Sequence, residues 1–220
     1  WAPDHFGTIV VDEAHHCLAD SYRAILEHFD SAKVLGVTAT PDRGDKRAMG
    51  EVFETIAYEA GLPELIAGGF LSPIKAKLLP LGIELSNVRS KMGDYVASDL
   101  DSAMEPFMEE IAHSIIEHAS DRKTLVFLPT VESSRTMAGI LAAEGLYSEH
   151  IDGTSNERSA ILGRFSAQQT GILCNCMLLT EGFDEPSIDC VVNLRPTRSR
   201  ALYQQIVGRG TRTYPGKRDL

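Results

Sequence analysis

Apolar residues in this chain come in short runs separated by amphipathic stretches. Thr8-Ile9-Val10-Val11 is one such run, and residues 33–38, Lys-Val-Leu-Gly-Val-Thr, form another. Between them Leu18, Tyr22, Ile25, Leu26 and Phe29 recur at helical spacing. Strand, helix, strand in that order predicts a β-α-β unit with two buried parallel strands. Short helices are expected around residues 46–53 and 62–67. They lead to Gly68-Gly69, where the pattern places a domain boundary, giving residues 1–69 and 70–220.

Beyond the glycines, Ser72-Pro73 opens an extended run over residues 74–81, and residues 86–101 are polar enough to predict a loop or mobile insertion. Glu105-Pro106 starts a helix with Phe107, Met108, Ile111, Ile115 and Ile116 on one face. Residues 124–128, 172–175 and 190–194 read as buried strands, separated by helices near 132–144 and 157–166. This is again the alternation of a parallel sheet, so the expected fold class is α/β, with two parallel-sheet domains in tandem.

At 220 residues, 43% apolar and 24% charged, the chain can bury one large core or two modest ones, and the pattern favours two. A formal net charge of -10 argues against a protein that grips nucleic acid over its whole surface. Yet residues 195–218 hold seven Lys or Arg and no acid, a local positive field. Cys17, Cys174, Cys176 and Cys190 include no C-x-x-C pair, which favours a reducing, intracellular setting. No apolar run approaches the roughly 20 residues of a membrane span and the first residues are no signal peptide, so a soluble, cytoplasmic protein is expected. A strand close behind Trp1 and an uncapped Gly216-Lys217-Arg218-Asp219-Leu220 end give the expectation of a fragment.

The chemistry gathers where strands end. The first run leads straight into Asp12-Glu13-Ala14-His15, and a buried parallel strand delivers the residues after it to the carboxyl edge of its sheet, where open α/β folds bind ligands. Two adjacent carboxylates there suit a divalent cation or a reacting water; otherwise they are a solvated strand end. Thr38-Ala39-Thr40-Pro41 brings two hydroxyls to the same edge. In Gln205-Ile206-Val207-Gly208-Arg209-Gly210-Thr211-Arg212 two arginines three apart would share one side of a helix or turn, fit for phosphate. Thr180-Glu181-Gly182-Phe183-Asp184 and Asp152-Gly153-Thr154 are further glycine-and-hydroxyl turns, each of which alone is more often just a turn. His15-His16-Cys17 cannot easily converge on one tetrahedral ion. Cys174 and Cys176 read as small buried hydrophobes, and His113, His118 and His150 occupy positions that need no function.

Asp12-Glu13-Ala14-His15, Thr38-Ala39-Thr40, the stretch from Thr180 to Asp184 and that from Gln205 to Arg212 stand in the order and rough spacing of helicase superfamily 2. The chain resembles its D-E-x-H branch, which contains type III restriction-enzyme motor subunits and related transcription and repair translocases. The resemblance implies tandem RecA-like domains, the first incomplete at its N-terminus, with ATP hydrolysis in the cleft between them driving movement on nucleic acid, DNA favoured over RNA. It implies that Asp12 holds Mg²⁺ and that Glu13 orients and deprotonates the attacking water. His15 would link these to Thr38 and Thr40, which couple nucleotide state to domain movement. Arg209 and Arg212 would act as arginine fingers, with Gln205, Gly182 and Asp184 also facing ATP. Thr130, Gly153, Thr154 and Thr180 would lie along the nucleic-acid backbone.

One departure from the family matters. No G-x-x-x-x-G-K-[ST] stands in the 220 residues, and Gly44-Asp45-Lys46-Arg47 lacks the second glycine and the Ser/Thr. In the family that loop precedes the acidic stretch by a long segment and would fall before Trp1, so this chain alone is expected to hydrolyse ATP weakly or not at all. Two alternatives stay open: a non-hydrolysing nucleic-acid-binding module derived from such a motor, and a metal-dependent nuclease using Asp12 and Glu13.

Overall fold

The structure, a computed structural model, describes residues 1–39, 49–91, 93–180 and 182–220. It divides into two units, Trp1–Ala60 and Gly61–Leu220. The division falls ahead of the glycine pair at 68–69 because the helix before that pair is bonded to the segment after it. Phe70 N and Leu71 N donate to Leu65 O at 2.9 and 3.3 Å, and Ser72 N donates to Thr211 O at 2.7 Å.

In the first unit, β1 (Thr8–Val11), α1 (Asp20–His28) and β2 (Lys33–Gly36) form the expected β-α-β, with Thr8 opposite Lys33 and Val11 opposite Gly36 in a parallel pair. The expectation of strands buried on both faces is corrected: Val10 is 63% and Leu35 49% exposed, whereas Val11 is 5% exposed. Alternate side chains of a strand point to opposite faces, and among the described residues the Val11 face is the buried one, alongside Ala14 and Cys17. Of the helix expected at residues 46–53, residues 46–48 lie outside the described residues, and from Met49 onward there is a turn in place of a regular helix, with Phe53 N donating to Met49 O at 2.8 Å.

The second unit is built on a four-stranded parallel sheet in the order β6-β7-β5-β8. After α2 (Leu62–Ala67) come β3 (Ser90–Lys91) and β4 (Asp94–Tyr95), then α3 (Ala97–Met104) and α4 (Met108–Ala119). The sheet strands β5 (Lys123–Phe127), β6 (Ser148–Ile151), β7 (Gly171–Asn175) and β8 (Cys190–Asn193) alternate with α5 (Val131–Ala143), α6 (Arg158–Ser166) and, after β8, α7 (Arg200–Gly208). Every residue of β5 and β7 is buried, the mark of central strands covered on both faces. Val126 and Ile172 pack with Ile111, Ile115, Met137 and Leu141 from α4 and α5. Leu125, Phe127 and Leu173 face the other way, onto Phe165 of α6 and Ile206 of α7.

Two expectations are corrected here. Residues 86–101 are not a loop: β3 and β4 pair antiparallel, and α3 comes next with Leu100 and Met104 buried. A short hairpin with few apolar residues leaves little pattern to read. Nor does the apolar pattern predict β6, because its Ser-Glu-His-Ile sequence is that of an edge strand, partly wetted and pairing with β7 alone. The end of the chain is fastened back onto the unit: Lys75 N donates to Leu220 O and Leu220 N to Pro73 O at 2.7 and 2.9 Å. Asp219 accepts from Arg122 Nη2 at 2.9 Å.

Candidate functional site

At the end of β1 the chain makes a tight, strained turn. Glu13 has φ 47° and ψ 50°, the left-handed region that a residue with a Cβ enters at a cost of about 1–2 kcal/mol. Two bonds hold it there: its N–H donates to Asp12 Oδ1 at 2.9 Å, and Ala14 N donates to Val37 O at 3.0 Å, tying the turn to the chain leaving β2. Glycine is required at 36 for this approach, since a Cβ there would lie 2.8 Å from Ala14 Cβ and 2.4 Å from Phe53 Cζ.

The turn brings four expected residues together. His15 is 5% exposed, and its Nδ1 lies 3.0 Å from Thr38 Oγ1 and 3.3 Å from Glu13 Oε2. A protonated Nδ1 can donate to either oxygen, and the Thr38 hydroxyl is the nearer of the two. Asp12 is exposed beside them. Thr40 lies outside the described residues. A buried imidazole thus bridges a half-exposed carboxylate at the end of one strand to a hydroxyl at the end of the next. Such a bridge can hold a general base in place and report on what it touches.

In the second unit, the Thr180–Asp184 stretch and the end of α7 meet. Arg209 Nη1 donates to Phe183 O at 2.7 Å and its Nε approaches Gln205 O at 3.4 Å. Arg212 pairs with Asp184, and both side chains are partly exposed. Of the helix or turn expected to carry the two arginines, the structure has α7 end at Gly208 with Arg209 capping it, and Arg212 in an extended segment bridged to Leu71, both side chains reaching the Phe183-Asp184 segment. Glycine at 210 lets this segment pass close to Leu220 and Val191, since a Cβ there would collide with Leu220 Cδ1 and lie 3.0 Å from Val191 Cγ2. Gly182 adopts φ 70°, which lets Phe183 and Asp184 turn toward the arginines.

The expected nucleic-acid residues stand at the carboxyl edge of the same sheet, after β5, β6 and β7. Thr130 caps α5, accepting from Ser133 N at 3.1 Å. Gly153 and Thr154 are exposed in the turn after β6, where Thr154 N and Oγ1 both donate to Asp152 Oδ1 at 2.6 Å. Thr180 is 7% exposed, and its hydroxyl donates to Met177 O at 2.9 Å within its own turn. Within the basic run at 195–218, Arg212 meets Asp184, Arg195 lies 4.0 Å from Asp94, and Arg198 stacks over Tyr95 at 4.8 Å. Lys217 Nζ is turned inward onto the carbonyls of Ile188, Gly210 and Arg212, and burial pulls its pKa down to about 8.

Sequence reasoning misses Ser134, His150 and Asp94. His150 occupies a position that by sequence needs no function, yet its Nδ1 lies 2.7 Å from Ser134 Oγ and its Nε2 2.8 Å from Asp152 Oδ2. The signal is there as His-x-Asp at the end of a strand, a spacing that puts both side chains on one face.

Parallel strands that end in an acidic turn in the first unit, and in the second a helix-covered parallel sheet with an arginine paired to a loop carboxylate, define the class: α/β domains of the RecA-like kind. Residues 106–214 match the helicase conserved C-terminal domain, and residues 1–43 match the res subunit of type III restriction enzymes. The chain belongs to helicase superfamily 2. It is 34% identical over 224 residues to IRC3 of Saccharomyces cerevisiae, whose name proposes an ATP-dependent helicase; the match covers 95% of this chain and 32% of that protein. It is 28% identical to the EcoAI endonuclease subunit of a type I restriction enzyme of Escherichia coli, over 96% of this chain and 30% of that one. A solved fragment of an HsdR subunit, assigned to a type I restriction enzyme of Vibrio vulnificus YJ016, superposes with a TM-score of 0.78 at 27% identity, over 100% of this chain and 43% of that one. The chain therefore spans about a third of the length of the curated relatives it matches. Among the described residues no helix is long and apolar enough to cross a membrane.

Proposed function

We propose that the protein is a nucleic-acid-dependent ATPase of the helicase or translocase type, acting in the cytoplasm on DNA in preference to RNA. The observation that carries this is the contact of His15 Nδ1 with both Glu13 and Thr38, which makes one connected group of an acidic turn and a strand-end hydroxyl. Glu13 would take the proton of the water that attacks the terminal phosphate, and His15 would hold its carboxylate toward that task. Asp12, exposed and with one oxygen on the Glu13 N–H, fits a hard divalent cation held through water. Mg²⁺ bound there would supply charge neutralisation on the phosphates of ATP. Arg209 and Arg212, with Gln205, Gly182 and Asp184 around them, would neutralise the negative charge that grows in the transition state. Kinship with restriction enzymes supports DNA as the track. Thr130, Gly153, Thr154 and Thr180 would meet its backbone and not its base edges, giving binding with weak sequence dependence.

A second reading is favoured by one observation: Arg209 and Arg212 are already engaged within their own unit. In it the protein binds nucleic acid without turning over ATP. Glu13→Gln in the full-length protein separates the two. For a motor, ATP turnover should fall at least about 100-fold, the lower range of a lost general base, while oligonucleotide affinity stays within about twofold. Turnover unchanged by the substitution would remove Glu13 from the chemistry.

A further inference from the structure

The turn after β6 and the first turn of α5 are joined by a buried polar relay that the proposed chemistry does not use. Asp152 is 0% exposed, and every neighbour that reaches its carboxylate donates to it. Thr154 N and Oγ1 reach Oδ1 at 2.6 Å; His150 Nε2 at 2.8 Å and Arg135 Nη2 at 2.9 Å reach Oδ2. Since the carboxylate must accept, Nε2 of His150 carries a proton, and Nδ1 shares a hydrogen bond with Ser134 Oγ at 2.7 Å. Ser134 stands in the first turn of α5, whose cap is Thr130 in a reciprocal pair with Ser133. Arg135, beside it, closes a second path from the same turn to the same carboxylate.

Serine, histidine and aspartate in this order resemble a nucleophilic triad, but Ser134 is 0% exposed, with no access for a substrate carbonyl. What the relay does is hold two turns at the carboxyl edge of the sheet at fixed separation. One end holds Thr130 and the start of α5; the other holds Gly153 and Thr154, pinned by both the amide and the hydroxyl of Thr154. An imidazole hydrogen-bonded at both nitrogens has one ring orientation, which makes it a rigid strut inside the fold.

Building on the nucleic-acid reading of these turns, we infer that Ser134, His150 and Asp152 are positioning residues that lock the Thr130 turn and the Gly153-Thr154 turn into one clamp for two phosphates of a nucleic-acid backbone. Two contacts held rigidly relative to one another bind successive phosphates cooperatively, while two loosely held contacts each lose ordering entropy separately.

A double-mutant cycle in the full-length protein, read by fluorescence anisotropy on a labelled single-stranded oligonucleotide, tests this. With His150 intact, Thr130→Ala and Thr154→Ala should each weaken binding, and their combination should depart from the product of the single losses by about fivefold. In a His150→Phe background affinity should fall about tenfold and the departure should vanish, each loss multiplying independently. His150→Gln, whose amide can still donate to Asp152 and accept from Ser134, should recover most of the coupling. Ser134→Ala, which cuts one end of the relay, should abolish coupling even if His150→Phe fails to fold. Losses that simply multiply with His150 intact would overturn the inference while leaving the nucleic-acid reading standing. No loss from either threonine substitution would overturn that reading and the clamp with it.

Discussion

At the scale of single residues, the chemistry rests on groups whose position costs something. Glu13 sits at φ 47°, a conformation that a merely solvated acid has no reason to hold, and His15 is buried against it. The bond from His15 to Thr38 is the part most open to test. Thr38→Val keeps the shape and removes the hydroxyl, so ATP turnover of the full-length protein should drop roughly 3- to 10-fold, the equivalent of one net hydrogen bond. ATP binding should be unmoved, and an unchanged turnover number would show that the hydroxyl takes no part. Asp152 gives a second test, one of pH. Its carboxyl is held well below the ordinary carboxylate range, first by the Thr154 hydroxyl and next by His150. A depressed folded pKa contributes stability that is present above the unfolded value, about 3.9, and is lost as pH falls through the folded one. Asp152→Asn should therefore lower the melting temperature fully at pH 7, and the gap to the native protein should narrow below about pH 4. A gap of constant size across that range would mean that the carboxylate charge is not what stabilises the turn. At this scale the sequence is informative where residues act with their neighbours in the chain, as Asp12, Glu13 and His15 do. It is silent where partners lie far along it, as with Ser134 and Asp152.

Elements show the same division. The central strands β5 and β7 and the helices α5 and α6 are legible to within a residue or two, because burial on both faces writes a continuous apolar run and amphipathic helices write a 3.6-residue period. The edge strand β6 and the β3–β4 hairpin write neither. That hairpin nevertheless shapes the arginine helix: Asp94 accepts from Thr197 Oγ1 at 2.8 Å and Arg198 N at 2.9 Å. Ser199 next to them caps α7 by accepting from Leu202 N at 3.2 Å. The N-terminus of the helix that carries Gln205 and ends at Arg209 is thus set by a segment about a hundred residues earlier, a link that no local pattern records. Asp94→Ala should cost about 1–3 kcal/mol in urea unfolding, the penalty for leaving such donors unpaired. Loss below about 0.3 kcal/mol, within the scatter of a surface substitution, would make the hairpin a bystander.

For the whole molecule, a net charge of -10 and a basic run whose arginines are partly neutralised by Asp94 and Asp184 weaken the positive field that phosphate would meet. Nucleic acid would be held by backbone-facing turns at the carboxyl edge of the second unit's sheet more than by bulk charge. The salt dependence of binding should accordingly be shallow, the slope of log affinity against log salt corresponding to about two or three phosphates; a slope three times steeper would point to a broad basic surface. The strands, their order and the strand-end motifs are enough to expect an α/β motor of this superfamily, because those motifs must sit where strands end for the chemistry to work. The measurement that bears most directly on that function is steady-state ATP turnover by the full-length protein, titrated in turn with single-stranded DNA, duplex DNA and RNA. A nucleic-acid-driven motor should show turnover raised at least about tenfold by one of them, with DNA the stronger activator. Turnover present but indifferent to every nucleic acid, or absent with all of them, would contradict it.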